Sequence, residues 1–150
     1  MKLSIEYELE NAGWARLKLS NETDSYEASV SYLNDSLCEL AQLAIDLKNG
    51  RKETKTIFMD EPGELHLVII LRNNLAEYEA RWFEDWASWN MHSIDDYKVV
   101  LSGGTCPNQI IEQITSILLN IIDNVGMEKY KELWVEHDFP AKHLDELLNV

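Results

Sequence analysis

Residues 105–125 read TCPNQIIEQITSILLNIIDNV. Within them Ile110, Ile111, Ile114, Ile117, Leu118, Ile121, Ile122 and Val125 recur at three- and four-residue steps, the spacing of one face of a helix. A stripe this wide must lie on an apolar surface, because exposed to water it would forfeit the burial of several large side chains at once. The segments upstream read as strands and supply that surface. The expected fold is therefore an antiparallel sheet with this helix across one face.

The upstream reading is residue by residue. Residues 2–10 set Leu3, Ile5, Tyr7 and Leu9 against Ser4, Glu6, Glu8 and Glu10, a period of two that fits a half-buried strand. Asn11-Ala12-Gly13 turns the chain, and residues 14–20 continue with Ala15, Leu17 and Leu19 on one side. After Asn21-Glu22-Thr23-Asp24, the alternation of Tyr26, Ala28, Val30 and Tyr32 marks a third strand. Ser36 followed by Glu39 has the spacing of a capping box. Leu37, Leu40, Ala41, Ala44 and Leu47 then run at helical steps to Gly50, giving a first helix over residues 36–49.

From Lys52 the period returns to two. Strands over 54–60 and 64–72 flank Glu61-Pro62-Gly63, where Pro and Gly suit the two central positions of a type II turn. The second of these strands is apolar on both faces, with Leu65, Leu67, Ile69 and Leu71 on one and Val68 and Ile70 on the other, so it belongs in the middle of the sheet. Residues 75–85 and 97–101 add two more strands, and beyond the long helix residues 127–135 and 143–150 read as short helical segments. The chain is expected to form a single domain, residues 1–150, of α+β class. Its sheet has about seven antiparallel strands in βββαββββαα order, with two main helices packed on it.

Charge narrows the function. There are 13 Lys and Arg against 27 Asp and Glu, a net charge of −14, and that potential repels nucleic-acid phosphates and anionic lipid headgroups. A basic protein is the complementary partner; nucleic acid and membrane are not expected. The alternating N-terminus lacks an uninterrupted apolar core, and no run approaches twenty apolar residues. Two cysteines, Cys38 and Cys106, are too few for a disulfide framework, so both thiols are expected free and the localisation cytoplasmic.

Catalytic signatures fail on detail. Ser102-Gly103-Gly104-Thr105-Cys106 resembles an anion-binding turn, but Thr105 stands where a phosphate loop needs Lys, and Glu112 where a phosphatase cradle needs Arg. It reads as a structural turn, with Cys106 a capping or packed thiol. His66, His92, His137 and His143 fall in no zinc-binding spacing, and His66 reads as a satisfied strand residue. No GxSxG motif marks a nucleophile. The acidic pairs Asp60-Glu61, Glu84-Asp85 and Asp95-Asp96 lack an accompanying Lys or a DxD pattern, and read as solvated loops rather than a magnesium site. No cofactor and no metal site is expected.

The informative stretch is residues 81–96, RWFEDWASWNMHSIDD. Trp82, Trp86 and Trp89 fall within eight residues, among Glu84, Asp85, Asp95 and Asp96. Aromatic residues and Met ringed by charge of one sign have the composition of a protein-binding hot spot and its rim. The competing reading makes all three tryptophans core anchors that tie a long loop to the sheet.

Several runs resemble a group of small uncharacterised bacterial proteins. These are Trp14-Ala15-Arg16, Tyr26-Glu27-Ala28-Ser29-Val30-Ser31-Tyr32-Leu33, Asn34-Asp35-Ser36-Leu37, Asp60-Glu61-Pro62-Gly63-Glu64 and Trp134-Val135-Glu136-His137-Asp138-Phe139-Pro140. The resemblance implies a shared fold and carries no activity. In size, acidity and lack of a catalytic motif the chain is also similar in type to acidic immunity proteins of bacterial toxin systems. That likeness implies a non-catalytic protein that neutralises a basic toxin by occlusion. Trp82, Glu84, Asp85, Trp86, Trp89, Asp95 and Asp96 are the expected contact residues. The alternatives are a small metal-dependent hydrolase using these acids, and a homo-oligomer whose tryptophan loop is its own interface.

Overall fold

Period-two alternation gives seven strands: β1 (Ser4–Leu9), β2 (Trp14–Ser20), β3 (Ser25–Ser31), β4 (Glu53–Met59), β5 (Glu64–Arg72), β6 (Leu75–Phe83) and β7 (Lys98–Thr105). Helical stripes give α1 (Ser36–Lys48), the long α2 (Pro107–Asn124), and the short α3 (Met127–Leu133) and α4 (Ala141–Leu148). The class is α+β, with the expected strand number and order. The structure, a computed structural model, describes residues 1–135 and 137–149. Glu136, within the last resembling run, and Val150, the end of the last expected helix, lie outside them.

The strands divide between two antiparallel sheets, β1-β2-β3 and β4-β5-β6-β7, where one continuous sheet was expected. The division has a visible cause at the outer edge of β4. There the Ile57 N–H donates to Glu39 Oε1 at 2.8 Å, and the Ile57 carbonyl accepts from Asn34 Nδ2 at 2.7 Å and Ser36 Oγ at 3.0 Å. Asn34, just before α1, and Ser36 and Glu39 within it thus take the outward-facing backbone groups of Ile57, at the point where β4 could have paired with another strand. Ser36 and Glu39 have capping-box spacing but do not cap: Asp35 holds the N-cap position, and no side chain bonds the first turn.

α2 treats β1 in a similar way. Gln109 accepts from the Leu3 N–H at 2.9 Å and donates to the Leu3 carbonyl at 2.7 Å, while Gln113 accepts from the Ile5 N–H at 3.2 Å. The helix therefore runs along the edge of β1 as it buries Ile110, Ile114, Ile117, Leu118 and Ile121. One apolar cluster joins both sheets to all four helices, through Leu17, Leu40, Leu67, Ile114, Tyr130 and Leu144 among others.

Two local expectations change. Ser102-Gly103-Gly104 is strand, not turn: it continues β7 against Glu79, Tyr78 and Glu77. Gly103 is required because a Cβ there would lie 2.4 Å from Tyr78 Oη, and that hydroxyl donates to the Met1 carbonyl and accepts from Asn21. Cys106 follows at the N-cap of α2, exposed and without a capping bond. Between β4 and β5 the Asp60 N–H donates to the Gly63 carbonyl at 2.9 Å, so Pro62 takes the second central position, after a cis peptide, where the first was expected.

Candidate protein-binding surface

Because β6 alternates, consecutive tryptophan and phenylalanine side chains leave it on opposite faces. Trp82 points toward the core side, packing on Tyr26 with ring centroids 6.2 Å apart and lying over Gly63, where a Cβ would come within 2.5 Å of its ring. It stands apart from Trp86 and Trp89. Phe83 is buried on the other face, 4.4 Å from His66 and 5.5 Å from Tyr97 between ring centroids. The crossing from β6 to β7, residues 84–97, folds over that second face.

Glu64 on β5 holds the base of this loop. Its carboxylate is fully buried, and Oε1 accepts from Ser88 Oγ at 2.8 Å and from the Ser88 N–H at 3.2 Å. Oε2 pairs with Nε2 of the buried His66. Burial alone would push Glu64 up, but the bonds from His66 and Ser88 outweigh it and hold the carboxyl below its ordinary range. Ser88 and His66 both address the carboxylate, and Ser88 donates to Glu64 rather than to His66, so the three do not form a nucleophile with its base. They form a clasp in which the exposed Ser88 is tied to a buried Glu64–His66 pair.

A second clasp is Trp86. Its Nε1–H donates to the Asp60 carbonyl at 2.7 Å, and its N–H to Asp85 Oδ1 at 2.8 Å. Asp85 is thereby committed to the turn. The half-buried Trp86 ring meets Trp89 edge-on at 4.8 Å, and a short 3-10 turn, Ala87–Trp89, presents Trp89 outward. The tip is apolar and open: Trp89 is 49% exposed, Met91 58% and Ile94 49%, with Tyr97 and Val99 continuing the exposure into β7. Glu84 at the start of the loop and Asp95 and Asp96 near its end are exposed, and His92 Nε2 lies 2.8 Å from the Asp96 carbonyl.

Of the seven expected contact residues, Glu84, Trp89, Asp95 and Asp96 stand on this exposed loop. Trp86 and Asp85 support it, and Trp82 belongs to the other face. Sequence reading missed the Glu64–His66–Ser88 clasp, whose one signal was a pair of polar residues at alternate positions of the most apolar strand. It also missed the exposure of Ile94 and Val99.

Among the described residues, no group of three or more His, Cys, Asp or Glu side chains is placed to hold a metal ion. No helix among them is long and apolar enough to cross a membrane. Cys38 and Cys106 are free thiols, and Cys38 Sγ lies 4.0 Å from His143 Nε2. Comparison with protein-family models, curated proteins and solved structures returns no significant match.

Proposed function

We propose that the chain is a non-catalytic cytoplasmic binding protein of the immunity type, whose β6–β7 loop docks on a basic protein and occludes it. A toxin domain is the partner class that the likeness in type suggests. One observation carries the reading: Trp89, Met91 and Ile94 are held open to solvent on a loop whose base is pinned by hydrogen bonds from Trp86 and Ser88, the latter to the buried Glu64. An apolar tip of this kind, kept rigid and rimmed by acids, fits the anatomy of a binding hot spot. Preorganisation also lowers the entropy lost on docking.

Charge selects the partner. With −14 on the whole chain and Glu84, Asp95 and Asp96 exposed on the same loop, a cationic surface is steered in and an acidic one repelled. The same charge works against self-association through this loop, since two copies would bring like rims together. For the hydrolase reading the acids would need to converge, and Asp85 instead caps the Trp86 turn.

The test neutralises the rim while leaving the clasp intact. Glu84→Gln, Asp95→Asn and Asp96→Asn together should weaken capture of a basic partner at low salt by at least about tenfold, chiefly through a slower association rate. The thermal midpoint should not move. Unchanged affinity would remove this surface from the proposed function.

A further inference from the structure

β1 is the outer strand of its sheet, and only half of its free edge is covered. The bonds from α2 to Leu3 and Ile5 show that odd-numbered residues turn their backbone groups away from β2. Gln109 and Gln113 satisfy Leu3 and the Ile5 N–H. Farther along α2 the residues beside β1 are Ile117, Asn120 and Ile121, and helix and strand part to leave an open groove of about 480 Å³. Among the described residues nothing bonds the Ile5 carbonyl, either backbone group of Tyr7, or the Leu9 N–H. A row of unpaired backbone groups beside an apolar wall is a template for an added strand.

The charges say what would fit. On the outer face of this sheet Glu6 stands opposite Lys18 and Glu8 opposite Arg16, and Lys18 in turn stands opposite Glu27. The order across β1, β2 and β3 is acid, base, acid in the Glu6 row and acid, base, serine in the Glu8 row, so a further strand beside β1 meets an acid in both rows and is matched by a base. Its other face would rest on Ile117, Ile121 and Val125. A second copy pairing through β1 would instead set Glu6 and Glu8 against the same acids, and is disfavoured.

We propose that β1 accepts an extended peptide segment of a partner protein, alternating basic and apolar residues, as a fourth strand of the sheet. This surface is separate from the tryptophan loop. The probe is an acetylated, amidated octapeptide alternating Lys and Val, and the readout is residue-resolved amide hydrogen exchange. At saturation the Tyr7 and Leu9 amides should exchange at least about tenfold more slowly, whereas Ser4, Glu6 and Glu8, already facing β2, should not change.

Methylating one alternate set of the peptide's backbone nitrogens should abolish the protection, and methylating the other set should preserve it. Glu6→Lys with Glu8→Lys, both at exposed positions, should transfer binding to a Glu–Val octapeptide. Trp89→Ser should leave the protection intact, which separates this edge from the loop. Unprotected Tyr7 and Leu9 amides at saturating peptide, or equal binding of both methylated peptides, would overturn the assignment.

Discussion

A carboxylate with no exposed surface beside a buried imidazole is a costly arrangement unless its oxygens are bonded, and at Glu64 each of them is. Glu64→Gln leaves the volume nearly unchanged but gives up the charge-assisted bonds, and should lower stability at pH 7 by ~1–3 kcal/mol. The pH dependence has a definite sign. With the folded pKa held below the unfolded value, near about 4.3 for Glu, the contribution is full above that value and disappears as pH falls through the folded one. Urea unfolding of both proteins at pH 7 and in acid checks this: the gap between their midpoints should narrow at low pH. Equal midpoints at pH 7 would show that the clasp contributes nothing.

At the scale of elements, backbone edges and one glycine decide more than helix propensity does. β7 runs through two glycines because Tyr78 occupies the space a side chain would need at Gly103. Gly103→Ala must displace a ring whose hydroxyl also bonds Met1 and Asn21, and should cost ~1–3 kcal/mol. At Gly104 the nearest atom to an added Cβ is a Leu75 methyl at 3.4 Å, so Gly104→Ala should cost less than about 1 kcal/mol. Thermal or urea unfolding of the two variants compares them directly, and equal losses would contradict this packing.

That contrast also marks the limit of legibility. Period two and period 3.6 placed every strand and helix to within a few residues, since those periods follow from side-chain direction alone. Whether Ser102-Gly103-Gly104 turns or stays extended depends on Tyr78, some twenty-five residues away in sequence, and no local pattern encodes it. The capping-box spacing of Ser36 and Glu39 misled for the same reason: their bonds go to Ile57 across the fold. The tryptophan run announced a loop of interest, but which tryptophan is exposed followed from the strand end at Phe83 and the Ser88 anchor.

Over the whole molecule, in the proposed function, a charge of −14 selects a basic partner while the fold supplies the surface offered to it. One apolar cluster unites two sheets whose outer edges are partly sealed by helix side chains, leaving the β6–β7 loop to carry the exposed apolar residues Trp89, Met91 and Ile94. Association driven by such a surface is screened by salt over about 8–10 Å, whereas the apolar contact at its centre is not. The most direct test separates these parts: quantitative capture from host cells at low salt, wild type beside the Trp89→Ser, Met91→Ser variant, with salt elution. The docking surface described here requires wild type to retain one dominant basic protein, released by salt, that the variant fails to hold although it unfolds at the same temperature. Retention of the same proteins in the same amounts by both would contradict it.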